Sequence, residues 1–150
     1  MTHLKIGDKA PSFSALDEQG NTQTLAQYKG KKLVVFFYPK ASTPGCTVEA
    51  CDLRDHFSRF EKENFALIGV SADSAKHQLN FKEKNELPFP LLADEDKAVI
   101  EAYGVWGPKK FMGKEYDGIH RTTFVINEEG IIESIIDKVK TKAHAEQIFG

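Results

Sequence analysis

A chain of 150 residues, 41% hydrophobic and 28% charged, can bury roughly 70% of its unfolded surface, and a single domain spanning 1–150 is expected. Its formal net charge of −2 lacks the basic surplus that nucleic acids or anionic membranes select, and no apolar run approaches the ~20 residues of a membrane span. The opening Met1-Thr2-His3-Leu4-Lys5 has no apolar secretory core, so a cytoplasmic protein is expected, in which two cysteines point to redox chemistry rather than a structural disulfide.

In chain order, Ser12–Leu16 and Thr22–Leu25 flank a Gly20-Asn21 turn and predict an N-terminal β-hairpin. Lys32–Tyr38 is short, β-branched and aromatic and reads as a buried strand; Phe65–Ser71 reads the same way. Helices are predicted over Ser74–Lys84 and Lys97–Tyr103. Thr122–Ile126, the turn Asn127-Glu128-Glu129-Gly130 and Ile131–Ile135 form a second hairpin, and Thr141 caps a last helix running to Phe149. Strands alternating with helices predict an α/β layered fold. No repeat, low-complexity tract or linker interrupts the pattern.

The informative segment lies between the first buried strand and the helix after it. Pro39-Lys40-Ala41-Ser42-Thr43-Pro44-Gly45-Cys46 is a strand-to-helix turn, and Cys51 follows five residues later. Free backbone N–H groups and the positive end of the helix dipole converge on Cys46, and both favour a thiolate, the nucleophilic form. At 100° per residue, Cys46, Ala50, Leu53, Phe57 and Phe60 fall within roughly 40° of one line and make the core-facing stripe of one helix. Cys51 lies about 140° from that line, among Asp52, Asp55, Ser58 and Lys62. In an intact helix the two Cα atoms stand roughly 8–9 Å apart, beyond the ~4.4–6.8 Å that a disulfide spans.

The spacing Pro39…Thr43…Cys46 resembles the active-site motif of peroxiredoxins, and Cys46-x4-Cys51 resembles their peroxiredoxin Q or bacterioferritin comigratory protein branch. The likeness runs from Gly7-Asp8-Lys9-Ala10-Pro11-Ser12-Phe13 through Tyr103-Gly104-Val105-Trp106-Gly107 and Gly118-Ile119-His120-Arg121 to the last helix. It implies a thioredoxin-like fold, with a central mixed sheet flanked by helices. It also implies a thiol peroxidase acting on hydrogen peroxide and organic hydroperoxides, with Cys46 as the nucleophile. Cys51 would be the resolving thiol, and a thioredoxin-like protein the reductant. Local unwinding of the helix would let Cys51 condense with a Cys46 sulfenic acid. A monomer is implied, a weak dimer being the alternative.

Supporting residues follow from the same motif. Thr43 is expected to orient the peroxide, Pro39 to shield the thiolate, and the N–H groups of Gly45 and Cys46 to donate to the substrate. Pro44 starts the helix, where a missing N–H costs little. Arg121, opening the strand Thr122–Ile126, matches the family's active-site arginine, and Glu49 is placed to hold it. Arg54 and Arg59 read as surface charges. Phe36, Phe37, Tyr38, Phe89, Trp106, Phe111 and Tyr116 read as core or lid residues. The five histidines are too scattered for a metal site, and no Gly-rich phosphate loop or organic cofactor site is expected. The alternative reading is a redox sensor or holdase switched by the same two cysteines.

Overall fold

The computed structural model describes residues 2–150. Its elements are β1 (Ser14–Leu16), β2 (Thr22–Thr24), β3 (Lys32–Phe37), α1 (Pro44–Asp55), α2 (Phe57–Lys62), β4 (Phe65–Ser71), α3 (Ala75–Asn85) and β5 (Leu91–Ala93). They continue with α4 (Ala98–Ala102), β6 (Trp106–Phe111), β7 (Lys114–Ile119), β8 (Thr122–Ile126), β9 (Ile132–Ile136) and α5 (His144–Phe149).

The apolar run of β3 has no polar face to offer water and therefore takes the middle of a sheet. Five strands lie in the order β5-β4-β3-β8-β9, with β3 parallel to β4 and antiparallel to β8. The central sheet is thus mixed, the expected class. Alternate residues of β3 feed two cores, because successive side chains of a strand point to opposite faces. Val34, Phe36 and Tyr38 pack with Cys46, Ala50, Leu53, Phe60, Phe81 and Ala145, the side of α1, α2, α3 and α5. Leu33, Val35 and Phe37 pack with Ile68, Val70, Ile100, Tyr103 and Phe124, the side of α4. Gly69 of β4 exists to let these layers close: a Cβ there would sit 2.7 Å from Leu91 Cδ2 and 2.9 Å from Phe36 Cζ.

The N-terminal hairpin forms with Ser14 opposite Thr24, shorter than predicted because Leu25 already begins a 3₁₀ turn, Leu25–Tyr28. Ser74 caps α3, its Oγ accepting from His77 N at 3.2 Å. Three expectations need correction. The helix of the core-facing stripe is two helices: α1 stops at His56, whose Nδ1 lies 2.7 Å from the Asp52 carbonyl oxygen, and α2 resumes at Phe57. Thr141 does not cap α5; it opens a 3₁₀ turn, Thr141–Ala143, that leads into α5. Of the aromatics expected as core or lid residues, Phe111 and Tyr116 lie outside the core. They belong to an unforeseen hairpin, β6–β7, whose Met112-Gly113 tip has positive φ at both residues and leaves Phe111, Met112 and Tyr116 exposed.

Candidate active site

The site is assembled where β3 ends. Pro39, half-buried, follows Tyr38 out of the sheet, and Asp73 pins the loop by accepting from Ala41 N at 2.7 Å. Ser42 takes a left-handed conformation (φ 64°), which turns the chain so that Thr43 lies extended and Pro44 opens α1. Thr43 Oγ1 donates to the Lys40 carbonyl at 2.8 Å and does not cap the helix. Its proton is therefore committed to the loop, and what it offers outward is oxygen lone pairs. The first helical bond to this loop is Thr47 N to Thr43 O at 2.9 Å. Among the described residues, the N–H groups of Gly45 and Cys46 find no backbone acceptor, as a helix start requires.

Cys46 Sγ lies buried in this turn and accepts from Arg121 Nη2 at 3.3 Å. Gly45 makes that approach possible, since a Cβ there would already sit 3.3 Å from the same Nη2. Arg121 Nη1 donates to Glu49 Oε1 at 2.6 Å, so one guanidinium bridges the thiol and a fully buried carboxylate. Burial works against the Arg121 charge, but Glu49 and Cys46 outweigh it and hold the guanidinium protonated more firmly than usual. For Glu49 the balance tips the other way. Burial pushes its carboxyl up to about 7, against the lowering pull of Arg121.

Two residues near this centre carry no clear cue in the sequence. Lys109 crosses the β6–β7 hairpin over bare Gly118 and donates to the Ile119 carbonyl at 2.9 Å. Burial lowers its pKa, Arg121 lowers it further, and Cys46 opposes, so its ammonium stands within electrostatic reach of both. A run of Pro108-Lys109-Lys110 has no periodicity that would single it out. The second is His144, fully buried, with Nε2 2.7 Å from Thr123 Oγ1 and 3.5 Å from Glu49 Oε2.

Cys51 is half-buried on the other flank of α1, with Sγ 3.7 Å from Asn85 Oδ1 at the end of α3. Both cysteines are free, and α1 runs unbroken through them. Arg54 is no mere surface charge: its Nη1 donates to the Asn85 carbonyl at 2.7 Å, tying α1 to the C-terminal end of α3. Asp52 makes a matching tie to α5, its Oδ2 accepting from Ala145 N at 2.8 Å. The structure thus brings Thr43, Gly45, Cys46, Glu49 and Arg121 together and holds Cys51 apart. Among the described residues no three His, Cys, Asp or Glu side chains converge as a metal centre would need, and no helix is long and apolar enough to cross a membrane.

Residues 6–135 match the family described as AhpC/TSA. The chain is 48% identical over 149 residues to a putative peroxiredoxin bcp of Haemophilus influenzae, covering 99% of this chain and 96% of that one. It is 47% identical, with the same coverage, to peroxiredoxin Bcp of Escherichia coli. Among solved structures, the Xanthomonas campestris bacterioferritin comigratory protein, described for its alkyl peroxide reduction activity, superposes with a TM-score of 0.87. That match has 35% identity and covers 99% of this chain and 94% of the other.

Proposed function

Because the chain belongs to the AhpC/TSA family, is a peroxiredoxin of the Bcp and peroxiredoxin Q branch and has their thioredoxin-like fold, we propose that Cys46 is its peroxidatic nucleophile and Cys51 its resolving thiol. The observation that carries the reading is the 3.3 Å contact between Arg121 Nη2 and a buried Cys46 Sγ at a helix start. A fixed positive charge and unpaired N–H groups stabilise the thiolate there without reorganisation.

The substrate is a hydroperoxide, hydrogen peroxide or an alkyl hydroperoxide. Its O–H donates to Thr43 Oγ1, whose own proton is held by the Lys40 carbonyl. That turns the terminal oxygen toward Cys46 Sγ. Sulfur attacks this oxygen, the O–O bond breaks, and the leaving alkoxide or hydroxide takes a proton to become alcohol or water. Arg121 and the N–H groups of Gly45 and Cys46 meet the negative charge that develops on the parting oxygens. Pro39 narrows the mouth of the loop against water.

Cys46 is left as a sulfenic acid. In the second step the Cys51 thiolate attacks the Cys46 sulfur, the S–S bond forms, and the S–O bond breaks, the departing hydroxide taking a proton from solvent to leave as water. Helical geometry keeps the two Cα atoms roughly 8–9 Å apart, so α1 must unwind around both cysteines before the bond can form. A dithiol reductant of thioredoxin type then exchanges with the disulfide, restoring both thiols and leaving as a disulfide itself. The same reading has residues 1–150 acting as one monomeric domain in the cytoplasm, where such a reductant is available.

The test is one equivalent of hydrogen peroxide added to fully reduced protein, with thiols and intact mass followed in time. Rapid loss of both thiols, a mass lower by their two hydrogens and no dimer support the reading. Cys46→Ser abolishes the reaction; Cys51→Ser leaves the first oxidation but stops at the sulfenic stage. Slow oxidation that never turns over with a dithiol reductant would replace the peroxidase by the redox-sensor reading.

A further inference from the structure

One buried group takes no part in this sequence. His144 sits against the back of the Arg121–Glu49 pair, and its surroundings fix how it can bond. Lys140 N donates to Gln147 Oε1 and Gln147 Nε2 donates to the Lys138 carbonyl, so the oxygen of the Gln147 amide is the end that faces His144 Nδ1, 2.9 Å away. Nδ1 must therefore carry a hydrogen and donate it. That leaves Nε2 directed at Thr123 Oγ1 and at Glu49 Oε2. Glu49 Oε2 is in turn a fully buried oxygen with no hydrogen-bond donor among the described residues. The Thr123 hydroxyl can donate to Nε2 at 2.7 Å, but nothing donates to Glu49 Oε2, and a fully buried carboxylate oxygen left unpaired is costly. One proton on either atom resolves it, and the 3.5 Å gap closes with a small rotation of the carboxyl group.

We infer that Glu49 and His144 hold one proton between them, and that His144 is thereby a positioning residue for peroxide reduction, keeping Arg121's charge undivided for the Cys46 thiolate. With the shared proton the pair is neutral overall, wherever the proton resides. Arg121 then faces a single anion, the thiolate. Without it, Glu49 is a second buried anion 2.6 Å from the same guanidinium and competes with Cys46 for it. The charged groups around the imidazole are Glu49 and Asp52 from α1 and Arg121 from the approach to β8. Burial and Arg121 both disfavour a free imidazolium, whereas Gln147 and Asp52 favour one. Burial is the largest of these and the balance lowers the imidazole pKa, while Glu49 is raised, so the proton resides mainly on the Glu49 carboxyl, facing His144. The inference rests on Cys46 being the peroxidatic residue.

The test is the pH dependence of single-turnover Cys46 oxidation, with sulfenic acid trapped and located by mass spectrometry. The wild-type rate falls on an alkaline limb above neutral pH as the pair gives up its proton. In His144→Asn, which keeps polar contacts but cannot bind a proton, this limb moves about one unit lower, so the rate between the two midpoints drops up to tenfold. A uniform loss of rate with an unmoved limb would make His144 only a seat for α5 and overturn the inference. Absence of Cys46 oxidation in the wild type would instead overturn the peroxidase assignment. Should His144→Asn fail to fold, the wild type decides: NMR of the His144 ring nitrogens and the Glu49 carboxyl carbon must show one common titration step. A Glu49 step that leaves both His144 nitrogens unmoved also overturns the inference.

Discussion

Replacing Glu49 by Gln isolates the energetic consequence of burying an ionisable group behind the thiol. Two forces act on Glu49. Its contact with Arg121 at 2.6 Å favours the carboxylate, while complete burial with Oε2 lacking a donor disfavours it. Burial wins, raising the group from 4.5 to about 7. The folded protein therefore binds this proton more tightly than the unfolded chain. The stability it lends is complete below pH 4.5, the unfolded value, and is lost as pH rises through about 7. At about 1.4 kcal/mol per unit, the difference corresponds to about 3 kcal/mol. Gln has the same shape and no such dependence. Urea denaturation of both proteins at a series of pH values, compared as a difference, cancels the titrating groups that do not touch Glu49. The wild type loses about 3 kcal/mol relative to Glu49→Gln between pH 4.5 and pH 8. A flat difference would refute the reasoning, since it would mean that Arg121 offsets burial in full and Glu49 ionises as readily as in the unfolded chain.

Gly45→Ala puts a methyl group 3.3 Å from Arg121 Nη2 and displaces the guanidinium, slowing Cys46 oxidation on the order of tenfold in stopped flow. Global stability, read by urea denaturation, changes by less than about 1 kcal/mol. Arg54→Ala removes the 2.7 Å bond to the Asn85 carbonyl, worth about 1 kcal/mol to the intact α1. Unwinding becomes easier, and disulfide formation after a single peroxide pulse speeds up about fivefold by mass spectrometry. Gly69→Ala forces a Cβ into Leu91 and Phe36 and lowers stability by about 1–3 kcal/mol in urea, while the rate of Cys46 oxidation stays as it was.

The parts of this fold that could be read from the chain are those whose residues solve a packing problem by themselves. Lys32–Phe37 and Phe65–Ser71 are apolar enough to have one destination, and they pair in the centre of the sheet. The stripe from Cys46 to Phe60 reports its buried face through spacing alone, and it survives the break at His56 because α2 resumes in nearly the same phase. Hairpin β6–β7 was illegible for the opposite reason. Pro108, two lysines and exposed aromatics give it no buried face, so neither period registers. Strand β5 is three residues long and is recruited by β4 rather than by its own pattern. At the site, Cys46, Thr43 and Arg121 are visible through their motif. His144 and Lys109 are not, because their partners lie on other elements and only the tertiary fold brings them within reach.

The three ties on α1 set a limit on how quickly the enzyme can protect itself. Arg54 binds α1 to α3, Asp52 binds it to the start of α5, and Glu49 leans on His144. On the proposed roles of Cys46 and Cys51, opening α1 for the second chemical step also loosens the C-terminal helix, and the sulfenic acid must wait for both. During that wait a second peroxide molecule competes with Cys51 for the same sulfur, and its success gives a sulfinic acid that disulfide chemistry does not reverse. The peroxide concentration at which the protein inactivates is therefore governed by the lifetime of a helix contact. Mutations at the α1–α5 seam, remote from the substrate, become the ones that set oxidative tolerance.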